Sequence, residues 1–199
     1  MALFFMAMVT GVLQTTPPMM DGFSSSSLVF NEFMALPASS ETEAEGEWIE
    51  LYNKSDGYVN ISGWRIRNQS GSTFTCGTYL VPAHGYVLLG SSGNTARNGG
   101  YTPDMVYSGF SIAGTGSLSL IDPHGNVVES ISYDAGWPVT RGCSCERINP
   151  DWAVGSVSSW ALSTSIFGDG DHGTPGARNS VYENSFASNT WAFIKAFVQ

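Results

Sequence analysis

Basic residues are scarce in this chain of 199 amino acids. It contains 8 lysines and arginines against 17 aspartates and glutamates, so its formal net charge at pH 7 is −9. A chain with this charge is repelled by phosphate backbones and by anionic lipid headgroups. The composition therefore argues against nucleic acid as a partner.

The chain also lacks a hydrophobic run long enough to cross a membrane. The apolar segment at its start, residues 1–13, is shorter than the roughly 20 residues that a spanning helix needs. Its length is typical of a signal peptide, although the usual basic residues are missing from it. We expect residues 1–13 to direct export, residues 14–27 to form a polar linker, and the protein to be secreted or extracytoplasmic without spanning the membrane.

Cysteine is rare. The three cysteines, Cys76, Cys143 and Cys145, are an odd number and cannot form a disulfide framework. Cys143 and Cys145 would point to the same side of a strand. The sequence is compatible with one disulfide from Cys76 to either of the other two, and equally with three unpaired thiols.

Charged residues make up only 13% of the chain, which contains 23 glycines. This balance favours short strands joined by tight turns over helices. Apolar residues recur with a period of two from residue 47 onward, so that Ile49 and Leu51 would share one face of a strand and Trp48 and Tyr52 the other. The pattern predicts an all-β fold, an antiparallel sandwich of seven to nine short strands, with a hairpin turn at residues 122–126.

Sequence patterns typical of catalysis are absent. There is no Gly-x-Ser-x-Gly elbow, and His84, His124 and His172 all lie in turn-like segments. Many carboxylates are present, but no spacing singles out a catalytic pair. We therefore predict no catalytic residue, no cofactor and no enzymatic activity.

A glycine-rich loop at residues 167–176 contains Asp169 and Asp171, which are spaced like the first two ligands of a calcium loop. The later ligand positions are occupied by Gly173 and Ser180, which excludes an EF-hand. Asp169 and Asp171 thus stay weak calcium candidates, and we predict no metal site.

Three glutamates, Glu32, Glu50 and Glu146, stand within apolar strands. A buried carboxylate without a partner would cost several kcal/mol, so each should find a donor or face solvent. Arg147 offers a planar fork that suits a carboxylate. We predict a structural polar network that includes Glu32, Glu50 and Arg147.

Six segments occur in the order seen in bacterial lamin-tail domains. They are residues 28–34 (LVFNEFM), 47–53 (EWIELYN), 59–64 (VNISGW), 80–88 (LVPAHGYVL), 120–128 (LIDPHGNVV) and 173–180 (GTPGARNS). The chain therefore resembles this family over residues 28–180, with a tail at 181–199.

The resemblance implies an immunoglobulin-like sandwich that binds or supports other molecules without chemistry of its own. We expect a protein or the cell-envelope surface as the partner. An accessory carbohydrate- or calcium-binding domain is the alternative, and a small hydrolase is a third one.

Overall fold

The computed structural model describes residues 27–182. The predicted export signal, nearly all of the predicted linker and nearly all of the tail lie outside the described residues. The strands are β1 (Leu28–Met34), β2 (Trp48–Asn53), β3 (Val59–Asn60), β4 (Arg65–Asn68), β5 (Thr73–Thr75), β6 (Leu80–Val81), β7 (Tyr86–Gly90), β8 (Met105–Val106), β9 (Gly116–Ile121), β10 (Val127–Tyr133), β11 (Cys145–Arg147), β12 (Trp160–Leu162), β13 (Ile166–Phe167) and β14 (Asp171–His172). Two short helices accompany them, α1 (Glu43–Gly46) and the 3-10 helix Val157–Ser159.

Two sheets stack to form the domain. The larger has six strands in the order β12-β11-β1-β2-β7-β8, and the smaller has four in the order β10-β9-β4-β5. Only the β7–β8 pair is parallel among the strand pairs of the described residues. The prediction of an all-β antiparallel sandwich is confirmed. The described residues contain more strands than the seven to nine predicted, because two-residue strands such as β3 and β8 are too short to show alternation.

The core lies between the two sheets. Ile49 and Leu51 contribute from β2, and Leu118 and Leu120 contribute from β9, all of them fully buried. Trp48 points to the opposite face of β2 and belongs to a second apolar cluster. The faces of β2 are those that the period-two pattern predicts.

A β-bulge in β1 lets both halves of that strand face the core. Phe30 lies opposite Leu51 and Glu32 lies opposite Glu50, so Asn31 is an extra residue on β1. The bulge changes the parity of the core-facing positions from even at Phe30 to odd at Phe33. Strict alternation would have turned Phe33 away from the core.

The outer face of the six-stranded sheet is also covered. Trp48 packs there against Tyr101 and Phe167, with ring centroids 6.2 and 6.0 Å away. Phe167 belongs to the hairpin β13–β14, and Asp169 on its turn donates a backbone hydrogen bond to the carbonyl of Gly99. The residues that follow this hairpin therefore lie on the outer face of the sheet.

Candidate functional site

A cleft of about 280 Å³ opens on the outer face of the six-stranded sheet. Strands β2 and β7 supply its floor, and the chain that follows β14 supplies one wall. The lining residues are Asn31, Tyr52, His84, Tyr86, Pro150, Arg178 and Tyr182. Three tyrosines and one arginine in so small a space make the cleft the candidate functional site.

The tyrosines of the floor are neighbours across the sheet. Tyr52 lies opposite Tyr86, and their ring centroids are 5.1 Å apart. Burial raises the pKa of both phenols above the usual value, so both keep their protons at neutral pH. The floor therefore offers apolar ring surface together with neutral hydroxyl groups.

The wall presents a cation and a third ring. The guanidinium of Arg178 lies over the ring of Tyr182, 4.0 Å from its centroid. A guanidinium that stacks on an aromatic face in this way keeps its N–H groups directed sideways, where they are free to bind other groups. Arg178 is exposed, so a ligand could reach it.

His84 closes the rim of the cleft in a strained conformation. Among residues 27–182, it is the one non-glycine residue with a positive φ, 53°. Its Nδ1 lies 3.3 Å from the hydroxyl of Tyr52, and its Nε2 lies 2.9 Å from Asp56. Strain of this kind often accompanies a functional site. The sequence assigned His84 no role, because turn histidines are common and its contacts depend on the fold.

Three buried glutamates form a row on the same outer face. Glu32 lies opposite Glu50 of β2 and opposite Glu146 of β11, and all three are fully buried. Residues 173–181, which we call the strap, lie across this row. The strap also carries Arg178 and leads directly into Tyr182, so the glutamates support one wall of the cleft.

Hydrogen bonds from the strap satisfy the row. Each carboxyl accepts one from a backbone amide: Glu32 from Thr174, Glu50 from Gly176 and Glu146 from Val181. The hydroxyl of Thr174 adds bonds to Glu32 and Glu146. Within residues 27–182, no lysine or arginine forms an ion pair with these three carboxyls.

Protonation explains why these three buried glutamates can lie side by side without a basic side chain to neutralise them. Burial, with a contribution from Glu146, raises the pKa of Glu32 to about 8. Burial, with a contribution from Glu32, raises the pKa of Glu50 well above its usual value. At neutral pH the row is thus partly protonated, which avoids placing three buried charges side by side.

Arg147 does not join this row, contrary to the prediction. It lies next to Glu146 on β11, and adjacent residues of a strand point to opposite faces. Arg147 therefore points into the space between the sheets, where its Nη1 lies 2.9 Å from Oε1 of Glu129. The predicted polar network is two separate groups: the glutamate row outside and the Arg147–Glu129 pair inside.

The calcium candidates have other contacts. Asp171 is buried and accepts hydrogen bonds from the backbone amides of Ala38 and Ser39. Asp169 is exposed on the turn between β13 and β14. No group of three or more histidine, cysteine or acidic side chains within the described part of the chain is arranged to hold a metal ion.

All three cysteines are free in the structure, so the disulfide that the sequence left open is not formed. Cys76 and Cys145 are buried, which raises the pKa of Cys76 to about 12 and that of Cys145 well above its usual value. Cys143 is only partly covered, and burial raises its pKa as well.

We expect a thiol reagent at pH 8 to label Cys143 at least about tenfold faster than Cys76 or Cys145, because reaction needs an accessible thiolate. The variant Cys143→Ser tests this, because it should lack the fast phase of the labelling reaction. In denaturant, all three thiols of the parent chain should react at similar, fast rates. Equal labelling rates in the native protein would contradict the expectation.

The described residues contain no helix that is long and apolar enough to cross a membrane. A search of curated proteins finds no match to the chain. The sequence does match the family model of the Lamin Tail Domain over residues 22–135, which is more than half of the chain. Strands β11 and β12 lie beyond that range but pair in the same sheet as β1. With the two-sheet antiparallel sandwich described above, this match shows that the chain belongs to the lamin tail domain family, a family of immunoglobulin-like, non-enzymatic interaction or structural modules.

Proposed function

We propose that this chain is a non-catalytic binding module of an exported protein, and that the tyrosine-lined cleft holds its partner, a protein or the cell-envelope surface. The observation that carries the proposal is the cleft itself. Rigid aromatic rings and arginine are the side chains that contribute most to binding surfaces. In the cleft three tyrosines and Arg178 face one space.

The side chains of Tyr52, His84 and Asp56 form a hydrogen-bonded chain. Its arrangement fits a structural role in the cleft better than a catalytic one. Asp56 is fully exposed, with its carboxyl paired to His84 in open solvent. A catalytic base is normally held in a shielded site, where neighbours tune its pKa. This hydrogen-bonded chain instead fixes the orientation of the Tyr52 phenol and the His84 ring at the rim.

The test is binding of the purified chain to isolated envelopes of the producing cell. We expect saturable binding by the parent chain and at least about tenfold weaker binding by Tyr182→Ala, because truncating a central aromatic contact typically costs more than one decade in affinity. Tyr58→Ala is the matched control, since Tyr58 is 72% exposed and does not line the cleft. Equal binding by all three chains, or no binding by any, would overturn the proposal.

A further inference from the structure

The chemistry of the cleft indicates the class of ligand. Asn31 is buried and its amide nitrogen donates to Glu50 and Asn179. Apart from Asn31 and Pro150, each lining residue presents a planar polar group: a phenol, an imidazole or a guanidinium. Such groups form directional hydrogen bonds in the plane of a ligand, while the rings offer flat apolar faces. A pyranose ring has the matching surfaces, with C–H groups on its faces and hydroxyls around its edge.

The charges around the cleft nearly cancel. Arg178 is positive, Asp56 beside His84 is negative, and the Asp151 carboxylate nearby is paired with Lys54 at 2.8 Å. Because the whole chain also has a net charge of −9, it would repel an approaching polyanion at a distance. The electrostatics favour an uncharged ligand.

The position of the cleft argues against an extended peptide. A peptide that adds to a sheet needs a strand edge with free backbone groups. The cleft lies over the faces of β2 and β7, and β2 is paired with β1 on one side and β7 on the other. Strand β7 pairs with β8 only at Leu89 and Gly90, so the peptide titration described below also tests the edge beside Tyr86. At about 280 Å³ the space is slightly smaller than typical small-molecule pockets and suits a ligand of one ring.

We propose that the cleft binds a neutral pyranose residue of a glycan, stacked on the tyrosine rings with its hydroxyls bound by Arg178 and His84. This inference rests on the proposed function and names the ligand of the same site. Tyr182 and Arg178 supply the wall against which the sugar packs, and the phenols of Tyr52 and Tyr86 supply the floor.

The experiment is calorimetric titration of the full chain with three sets of ligands: neutral hexose and N-acetylhexosamine oligosaccharides, uronate oligosaccharides, and short peptides. We expect at least one neutral oligosaccharide to bind and the uronates and peptides to give no heat. Arg178→Ala and Tyr182→Ala should each weaken binding at least about tenfold, whereas Tyr58→Ala should leave it unchanged. Both cleft variants alter exposed or partly exposed side chains, so unchanged circular dichroism and thermal midpoints will show that they fold.

Several outcomes would overturn the inference. They are binding of uronates or peptides alone, binding of a neutral sugar that the cleft variants do not weaken, and no binding of any ligand. If no sugar binds while envelope binding still depends on Tyr182, the glycan assignment fails and the proposed function stands. If envelope binding is also independent of Tyr182, both fail.

Discussion

Replacing Arg147 with methionine is expected to lower the free energy of unfolding by about 4 kcal/mol, the cost typical of breaking a buried ion pair. Arg147 and Glu129 are both almost completely inaccessible to solvent. Methionine fills much of the volume of the arginine but leaves the Glu129 carboxylate buried without its cation. Chemical denaturation of both chains at pH 7 measures the difference.

The pair also satisfies backbone groups of β1. The amide of Phe30 donates to Oε2 of Glu129 at 2.8 Å, and the carbonyl of Phe30 accepts from Nη1 of Arg147 at 3.1 Å. Phe30 immediately precedes the bulge, where the strand ladder is interrupted. The ion pair therefore bridges the two sheets, since Glu129 is on β10 and Arg147 on β11, and it satisfies the amide and the carbonyl of Phe30.

Arg147 and Glu129 neutralise each other and also bind the backbone of Phe30, and both roles determine the effect of replacing the two residues together. Buried ion pairs can often be replaced by apolar residues without loss of stability. Here the combined Arg147→Met and Glu129→Met variant should stay about 2 kcal/mol below the parent, because the Phe30 amide and carbonyl lose their partners. Arg67→Met is the control: Arg67 is exposed, and its replacement should change stability by less than about 0.5 kcal/mol. A double variant as stable as the parent would contradict the role assigned to Phe30.

Local alternation was sufficient to predict the fold class. The period-two pattern placed Ile49 and Leu51 in the core, and the turn residues at 122–126 placed the hairpin between β9 and β10, where Gly125 has a φ of 94°. These features depend on residues that are close in sequence. Adjacent residues of a strand point to opposite faces, so the sequence could also have shown that Glu146 and Arg147 lie on different faces. It would then have predicted two polar groups and not one network.

The remaining features depend on contacts distant in sequence. Tyr52 and Tyr86 become neighbours only through the pairing of β2 with β7, and Arg178 reaches them only because the strap crosses the glutamate row. Nothing in the local pattern places residue 178 beside residue 52. The bulge at Asn31 has no clear sequence signal either, since no glycine marks it. The sequence alone therefore did not identify the cleft as a candidate site, although its tyrosines can be read from the sequence.

The domain should become less stable as the pH rises from 5 to 8. The pKa of Glu32 is about 8 in the folded chain, against an ordinary value of 4.5, and the pKa of Glu50 is also raised. A group whose pKa is higher in the folded state stabilises the fold fully below its unfolded pKa, and this contribution is lost as the pH rises through the folded pKa. For Glu32 the window runs from about pH 4.5 to about pH 8, with a loss on the order of 3 kcal/mol across it.

The measurement is the denaturant midpoint as a function of pH, with hydrogen exchange of the strap amides as a local readout. Glu32→Gln keeps the shape of the side chain but cannot ionise, so its midpoint should fall much less between pH 5 and pH 8 than that of the parent. Glu43→Gln alters an exposed glutamate that pairs with Arg141, and it should keep the parent slope. A parent midpoint that is constant or rises across this window would show that the row is not protonated at neutral pH. The amides of Thr174 and Gly176 donate to these carboxyls. Their protection from exchange, corrected for the intrinsic rise of the exchange rate with pH, therefore shows whether repulsion among the ionised glutamates opens the strap before the core unfolds.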